Sequence, residues 1–421
     1  TEWPHTSSAL FPHTPKEVRE MDREERSTLL AHHNLEVTQA ELARCREAVR
    51  NGTIWQLAEQ RSHANAKLRE AFEWVLEQLE ESDEGPVAES VLRTIASSDP
   101  IRGSAEQFSE DIDSRPHLLH LNALLAMRWR RPGSWWDGSD DKAERVVILS
   151  GAEPPWRDSA LGSAISALEE EPRSIVLIST PVGLIPFTLE DVSPWCHIQC
   201  PDDLWDMVLD EAEIDAWLED LGIANLPLDI HVCQADPEGE AGGENRTKIR
   251  DWIDRCTIVD KLSLLCGISP SDVCKLSNEM TSRRSRTDRM VNVNFAGVHC
   301  LSPRLPDGAL SLTLAGAKKL HELNPKPPST FQQGTILSEL NHPGLPRVLL
   351  MDDAIPFVGK GRNVIHGFVL GADPHLIVGQ PCLVVSAKGE LIAHGVANAT
   401  ADDMAFFDKG IAVKVRDGAL K

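Results

Sequence analysis

Two groups of side chains in this 421-residue chain have the types and spacing that chemistry needs. After the apolar run Val146 to Leu149, the stretch Ser150 to Asp158 carries Glu153 and Asp158, and His197 follows downstream. Two carboxylates and an imidazole can accept and return protons, so these three form a candidate catalytic set. No cysteine or lysine stands in that stretch to act as a nucleophile beside them. The second group is basic. Gly359-Lys360-Gly361-Arg362 places two cations among glycines, where the backbone can come close to a ligand and the side chains can reach phosphate. His366, Lys409, Lys414 and Arg416 follow in the same part of the chain. A third cluster, Arg283, Arg284, Arg286 and Arg289, stands out in an acidic background. It fits phosphate contacts and a solvated loop balancing nearby acids equally well.

The basic set lies in a stretch of short apolar runs (Val348 to Met351, Cys382 to Val385, Ile411 to Val415) separated by Gly, Asp, Asn and Pro, which predicts a small β-barrel or sandwich. The catalytic set lies where the pattern alternates between strand and helix. Val146 to Leu149 and Ser174 to Ser179 read as buried parallel strands and Leu228 to Val232 as a further strand, with helices over Ser159 to Glu170 and Leu204 to Leu221. In an open parallel sheet the ligand crevice lies at the carboxyl ends of the strands, which points to the loops Ser150 to Asp158 and Thr180 to Pro186. Upstream, Glu17 to Glu36, Val37 to Arg50 and Thr53 to Glu80 have helical spacing, with Asn51-Gly52 as a stop. Ser114-Arg115-Pro116 followed by Leu118, Leu119, Leu121, Leu124 and Leu125 predicts a core helix with an arginine at its entry. Residues 234 to 250 read as a polar, Gly-rich linker, Asp251 to Met280 as helix, and Leu310 to Leu320 as a strand turning into a helix.

Length and composition predict several soluble domains, 41% apolar and 25% charged. No apolar run approaches a membrane span and the first residues lack a signal-peptide layout, so the expected location is cytoplasmic, with no membrane partner. Nine scattered cysteines without a CxxC pair predict neither a disulfide framework nor a zinc ribbon. The formal charge is −23, yet from Arg347 onward eight basic residues meet eight acidic ones. The acidity therefore sits upstream, and it argues against a sequence-blind electrostatic binder of nucleic acid without excluding a local basic patch.

From Arg347 on, the order of features resembles the PUA domain, an RNA-binding pseudo-barrel. Lys360, Gly361 and Val364 form its Lys-Gly-X-X-Val turn, then come Gly367, Val369, Asp373 and Pro374, then Gly379, Gly395 and Lys-Gly-Ile-Ala-Val-Lys-Val-Arg at Lys409 to Arg416. The resemblance implies RNA binding through Lys360, Gly361, Arg362, His366, Lys409, Lys414 and Arg416, with Phe357 and Phe368 expected in the core. The runs LLAHHNLE and AVRNGTIWQLAEQRSHANAKL resemble the helical segment of tRNA-guanine transglycosylases that follows their catalytic barrel. There the histidine matching His33 is a zinc ligand preceded by three cysteines. Here the first cysteine is Cys45, after it, so a hydrogen-bonded structural His33 and no metal site are expected. The barrel itself is not found in this sequence.

Ser-Thr-Pro-Val-Gly-Leu-Ile-Pro-Phe-Thr-Leu-Glu (179 to 190) and Ser193-Pro194-Trp195-Cys196-His197 resemble motifs of archaeosine synthase, a transglycosylase paralogue. That family acts on 7-cyano-7-deazaguanine already installed in tRNA, and its central domain is uracil-DNA-glycosylase-like in fold. Its Pro-Cys-Ser-X-X-Lys-Pro-Tyr-Ser loop is replaced here by Ser150-Gly151-Ala152-Glu153-Pro154-Pro155-Trp156-Arg157-Asp158, with Gly151, Pro154 and Trp156 at the Cys, Lys and Tyr positions. The resemblance implies an α+β multidomain protein. Its parts are a helical transglycosylase-like segment (1–82), a helical or linker region (83–144), a central α/β domain (145–235), a small α/β domain (250–325) and a C-terminal PUA β-barrel (345–421). It implies a tRNA-binding protein of the archaeosine pathway with its catalytic loop replaced. The alternatives are an active synthase using Glu153, Asp158 and His197, or an acidic scaffold for a protein partner. tRNA is the expected partner, with a separate transglycosylase or synthase subunit, or a second copy in a homodimer, as further ones. No cofactor is expected.

Overall fold

The computed structural model describes residues 7–51, 53–80, 107–108, 115–129, 145–152, 156–199, 209–223, 229–236, 243–324 and 344–420. Packing divides the chain into two compact units, Thr1–Glu73 and Trp74–Lys421.

The first unit is helical: α1 (Pro15–Glu20), α2 (Arg23–Asn51), α3 (Ile54–Ser62) and the start of α4 (Ala66–Glu80). A capping box starts α1: Glu17 N–H donates to Thr14 Oγ1 at 3.3 Å and Thr14 N–H to Glu17 Oε2 at 2.6 Å. α2 runs through Glu36 and Val37 without interruption and ends at Asn51, where the Asn-Gly stop is expected. The stretch Thr53 to Glu80, expected to be helical throughout, is divided between α3 and α4, where Asn65 Oδ1 accepts the Leu68 N–H at 3.0 Å. Arg61 grips Glu41 with two hydrogen bonds of 2.5 and 2.9 Å, tying α3 to α2. Those bonds, with another from Arg44, hold the Glu41 carboxyl down at about 2.

The second unit opens with β1 (Gln107–Phe108) and α5 (Pro116–Arg128), continues through β2 (Arg145–Ser150), α6 (Trp156–Glu170), β3 (Ser174–Thr180), β4 (Gly183–Pro186), β5 (Ile198–Gln199), α7 (Glu211–Asp220) and β6 (Asp229–Gln234). The main sheet has the order β4-β3-β2-β6, with β2 parallel to β3 and β6. Its three parallel strands fall where the apolar runs predicted them. β4, however, is antiparallel to β3, so Thr180 to Pro186 is a hairpin and a sheet edge, not a crevice loop. α5 is the expected core helix, with Leu118, Leu121, Leu124 and Leu125 buried and Arg115 at its entry 1% exposed.

Helix α8 (Gly243–Cys266) reaches back into the segment expected as linker, whose second part is therefore helical; residues 237–242 lie outside those described. Gly267, at φ 61°, ends it, and α9 (Pro270–Ser277) follows. Next come β7 (Met280–Arg284), β8 (Met290–Phe295), β9 (Val298–Pro303), β10 (Leu310–Leu312) and α10 (Leu314–Leu323), a four-stranded antiparallel meander with a helix on it.

The last part holds β11 (Arg347–Leu350), α11 (Ile355–Val358), β12 (Val364–Ile365), β13 (Val369–Ala372), β14 (Pro381–Val385), β15 (Leu391–Ala397), α12 (Ala401–Phe406) and β16 (Ile411–Gly418). They form one six-stranded, nearly closed sheet in the order β12-β16-β15-β14-β11-β13. Its inward side chains make one core, whereas Leu383 and Val385 of β14 point the other way, into the core of the meander. The barrel and the meander thus share a hydrophobic seam. No helix among the described residues is long and apolar enough to cross a membrane.

Candidate nucleic-acid interface

The basic side chains gather around β16. Its N–H at Val415 donates to Asn363 Oδ1 at 3.1 Å, and the Leu420 N–H donates to Gly359 O at 3.0 Å, so the turn 359–363 is laid against the second half of the strand. The turn is tight: Gly361 N–H reaches Val358 O at 2.8 Å, and Lys360 and Arg362 N–H both reach Phe357 O at 3.2 Å. Gly361 has φ +95°, a conformation that excludes a side chain, and a Cβ at Gly418 would sit 2.1 Å from Gly359 O. Lys360 and Arg362 are exposed on this turn, Lys414 and Arg416 alternate outward along β16, and Lys409 is exposed before its start. Among the described residues none of the five takes part in an ion pair. Their charges are available to an external anion. Asn363, which fixes the turn on the strand, was not among the residues picked from sequence; an Asn closing a Gly-rich basic turn is the signal that marks it.

Three members of the expected picture change. His366 is buried (7% exposed), its ring edge-on to Phe407 at 5.9 Å and its backbone N–H donating to Gly410 O at 3.2 Å, so it braces the start of β16 and presents no face to a ligand. Phe357 and Phe368, expected in the core, are 65% and 44% exposed. The small barrel interior is already filled by Val, Ala, Leu and Met side chains, leaving no room for them.

The arginine cluster forms the β7–β8 hairpin. Arg284 donates to Asp254 Oδ2 at 2.7 Å, Arg250 pairs with Asp288, and Arg289 lies 3.5 Å from Asp158. Arg284 and Arg289 therefore balance acids, as the solvated-loop reading has it, while Arg283 and Arg286 stay exposed.

Of the acid–base set, Asp158 alone has its side chain among the described residues. Glu153 lies outside the described residues, His197 ends a single 3-10 turn (Trp195–His197) with its ring outside them, and Asp158 is exposed in the first turn of α6, paired to Arg289. The nearby Cys196 thiol is pushed up to about 12, first by burial and then by Asp191 and Glu190, which keeps it protonated at neutral pH. Lys261, 1% exposed, is held by Asp191 at 2.6 Å. The conspicuous 179–190 stretch is structural. Gly183, at φ +105°, lies so close to Trp217 that a Cβ would approach its ring to 1.9 Å, and Leu184, Ile185, Phe187 and Leu189 are all core. In the helical unit, His33 Nδ1 is 2.9 Å from Ser7 Oγ, a structural hydrogen bond.

The nearly closed sheet carries exposed cations along one outward strand and its adjoining turn, and residues 346–419 match the PUA domain model. Residues 7–67 match the model of queuine tRNA-ribosyltransferase, and residues 272–327 that of the patch-forming domain C2 of tRNA-guanine transglycosylase. Along its whole length the chain is similar to archaeal tRNA-guanine(15) transglycosylases. It is 26% identical to that of Methanothermobacter thermautotrophicus over all of this chain and 58% of the relative, and 26% identical to that of Methanocaldococcus jannaschii over 99% of this chain and 57% of the relative. It thus spans less than two thirds of the curated relatives it matches. A PUA domain from Aeropyrum pernix aligns in structure at a TM-score of 0.23 and 17% identity, over 34% of this chain and 69% of the other.

Proposed function

We propose that this is a tRNA-binding protein of the archaeosine tRNA-modification pathway, gripping RNA phosphates with Lys360, Arg362, Lys409, Lys414 and Arg416 of the PUA domain. The observation that carries this reading is the set of five exposed, unpaired cations around β16 in a chain of net charge −23. The similarity to tRNA-guanine(15) transglycosylases supports tRNA as the RNA. Within the domain, charges on a built turn and a strand act at short range, so the acidity elsewhere is screened over about 8–10 Å at physiological salt. The loop Ser150 to Asp158 then serves no transglycosylase-like nucleophilic step, and chemistry on the bound tRNA falls to a separate subunit.

The test is filter retention of tRNA at two salt concentrations, with the intact chain and the Lys360→Ala/Arg362→Ala/Lys414→Ala variant. Intact protein binds with affinity that falls with salt, and the variant binds weaker with a log–log salt slope shallower by about 2–3. Unchanged binding in the variant at both salts would sink the assignment of these residues. Turnover of the 7-cyano-7-deazaguanine base within tRNA by the intact chain alone, lost on His197→Ala, would establish the enzymatic alternative.

A further inference from the structure

We propose that Phe368, Leu370, Phe406 and Phe407 form a docking surface for a protein segment that presents an apolar side chain flanked by lysine or arginine. The four are 44%, 43%, 79% and 48% exposed. Phe406 and Phe407 meet edge to face at 5.0 Å, the buried His366 lies under Phe407, and Asp408 O accepts the Gly367 N–H at 3.0 Å, which brings Phe368 alongside. α12, ending in Phe406, packs against β13, which carries Leu370. Single exposed apolar side chains are ordinary; a contiguous group with three phenylalanines is a contact surface.

The rim identifies the occupant. Asp402, Asp403 and Asp408 flank the phenylalanine pair, and Asp352 and Asp353 follow Met351, whose N–H binds Phe368 O at 2.9 Å. Against these five carboxylates the segment offers Lys409. An aromatic centre with an acidic rim matches a partner with an apolar anchor and a basic rim. RNA is disfavoured there, because each carboxylate repels phosphate and only Lys409 of the five cations is nearby, Lys360, Arg362, Lys414 and Arg416 lying toward the other end of β16. A second copy is disfavoured too, since a two-fold contact through this patch would face acidic rim against acidic rim.

The test uses the full chain and two labelled synthetic peptides of equal positive charge, one an amphipathic helix with Leu and Phe on one face, the other with those residues replaced by Ser. Fluorescence anisotropy is expected to show the apolar peptide binding wild type about tenfold tighter than the Ser peptide, with that advantage lost in Phe406→Ser/Phe407→Ser. Asp402→Asn/Asp408→Asn, a change confined to the exposed rim, is expected to weaken binding severalfold and flatten its salt dependence, which keeps the test open if the phenylalanine variant misfolds. Equal binding of the two peptides overturns the proposal. So does loss of an overhang-bearing RNA hairpin on Phe406→Ser, which would assign the patch to nucleotides, or loss of concentration-dependent self-association, which would assign it to a second copy.

Discussion

Lys261 shows how individual residues here divide between structure and chemistry. An amine near a cysteine and two carboxylates has the makings of a nucleophile, but Lys261 is buried against Asp191 and its neighbour Cys196 is protonated up to about 12. Replacing Lys261 by Ala strands Asp191, which keeps part of its surface in water. The expected cost is about 2–3 kcal/mol, less than for a fully buried pair, read from urea unfolding. The thiols of Cys266 and Cys382 are likewise pushed up to about 12 by burial. Unfolded, a thiol titrates near 9.0. Between that value and about 12 the folded chain holds more protons than the unfolded one, so stability is full below pH 9 and falls as pH rises through that window. Urea midpoints at pH 8, 9.5 and 11 should fall steeply for wild type and less steeply for Cys266→Ala/Cys382→Ala. A parallel pH profile in the two proteins would show that these thiols do not drive the loss.

At the scale of elements, the β3–β4 hairpin turns what reads as a ligand loop into framework. Thr180 Oγ1 donates to Gly183 O at 2.8 Å and accepts the Val182 N–H at 3.2 Å, while Thr188 is bonded to the buried Asp260 of α8. Gly183→Ala must both leave a left-handed conformation and clear the Trp217 ring. A loss of more than about 2 kcal/mol in thermal unfolding is expected, with tRNA affinity of the surviving folded fraction unchanged because β16 belongs to a different sheet. A drop in affinity at a temperature where the variant is folded would tie this hairpin to the RNA interface instead.

Across the second unit, the seam between meander and barrel sets the orientation of β16 and its cations. Arg347 is 1% exposed; its guanidinium donates to Leu345 O at 3.2 Å and to Asn324 O, and its backbone N–H donates to Asp373 Oδ2 at 2.9 Å. Gln380 Nε2 adds a bond to Leu265 O at 2.8 Å, joining the barrel to the end of α8. Arg347→Ala leaves two buried carbonyls unsatisfied and opens a cavity, for an expected loss of about 3–5 kcal/mol. Differential scanning calorimetry should show one transition for meander and barrel in wild type and a separated, lower one for the barrel in the variant. A single transition in both would mean that Leu383 and Val385 alone hold the seam.

The sequence by itself determined the strands of the parallel sheet, the core helix α5, the barrel strands and the basic turn, because each is a local pattern: an apolar run, a helical stripe, glycines around cations. It also carried the resemblance to transglycosylases, which the matches at both ends of the chain reproduce. Only the tertiary structure decided which cations are free. Arg284 and Lys360 look alike in sequence, yet Asp254 reaches the first from another element, and among the described residues no carboxylate pairs with the second. It likewise decided that Phe357 and Phe368 face outward and His366 inward, because core volume is fixed by all the strands together. Ion pairing and burial depend on residues distant in the chain, and local spacing does not encode them.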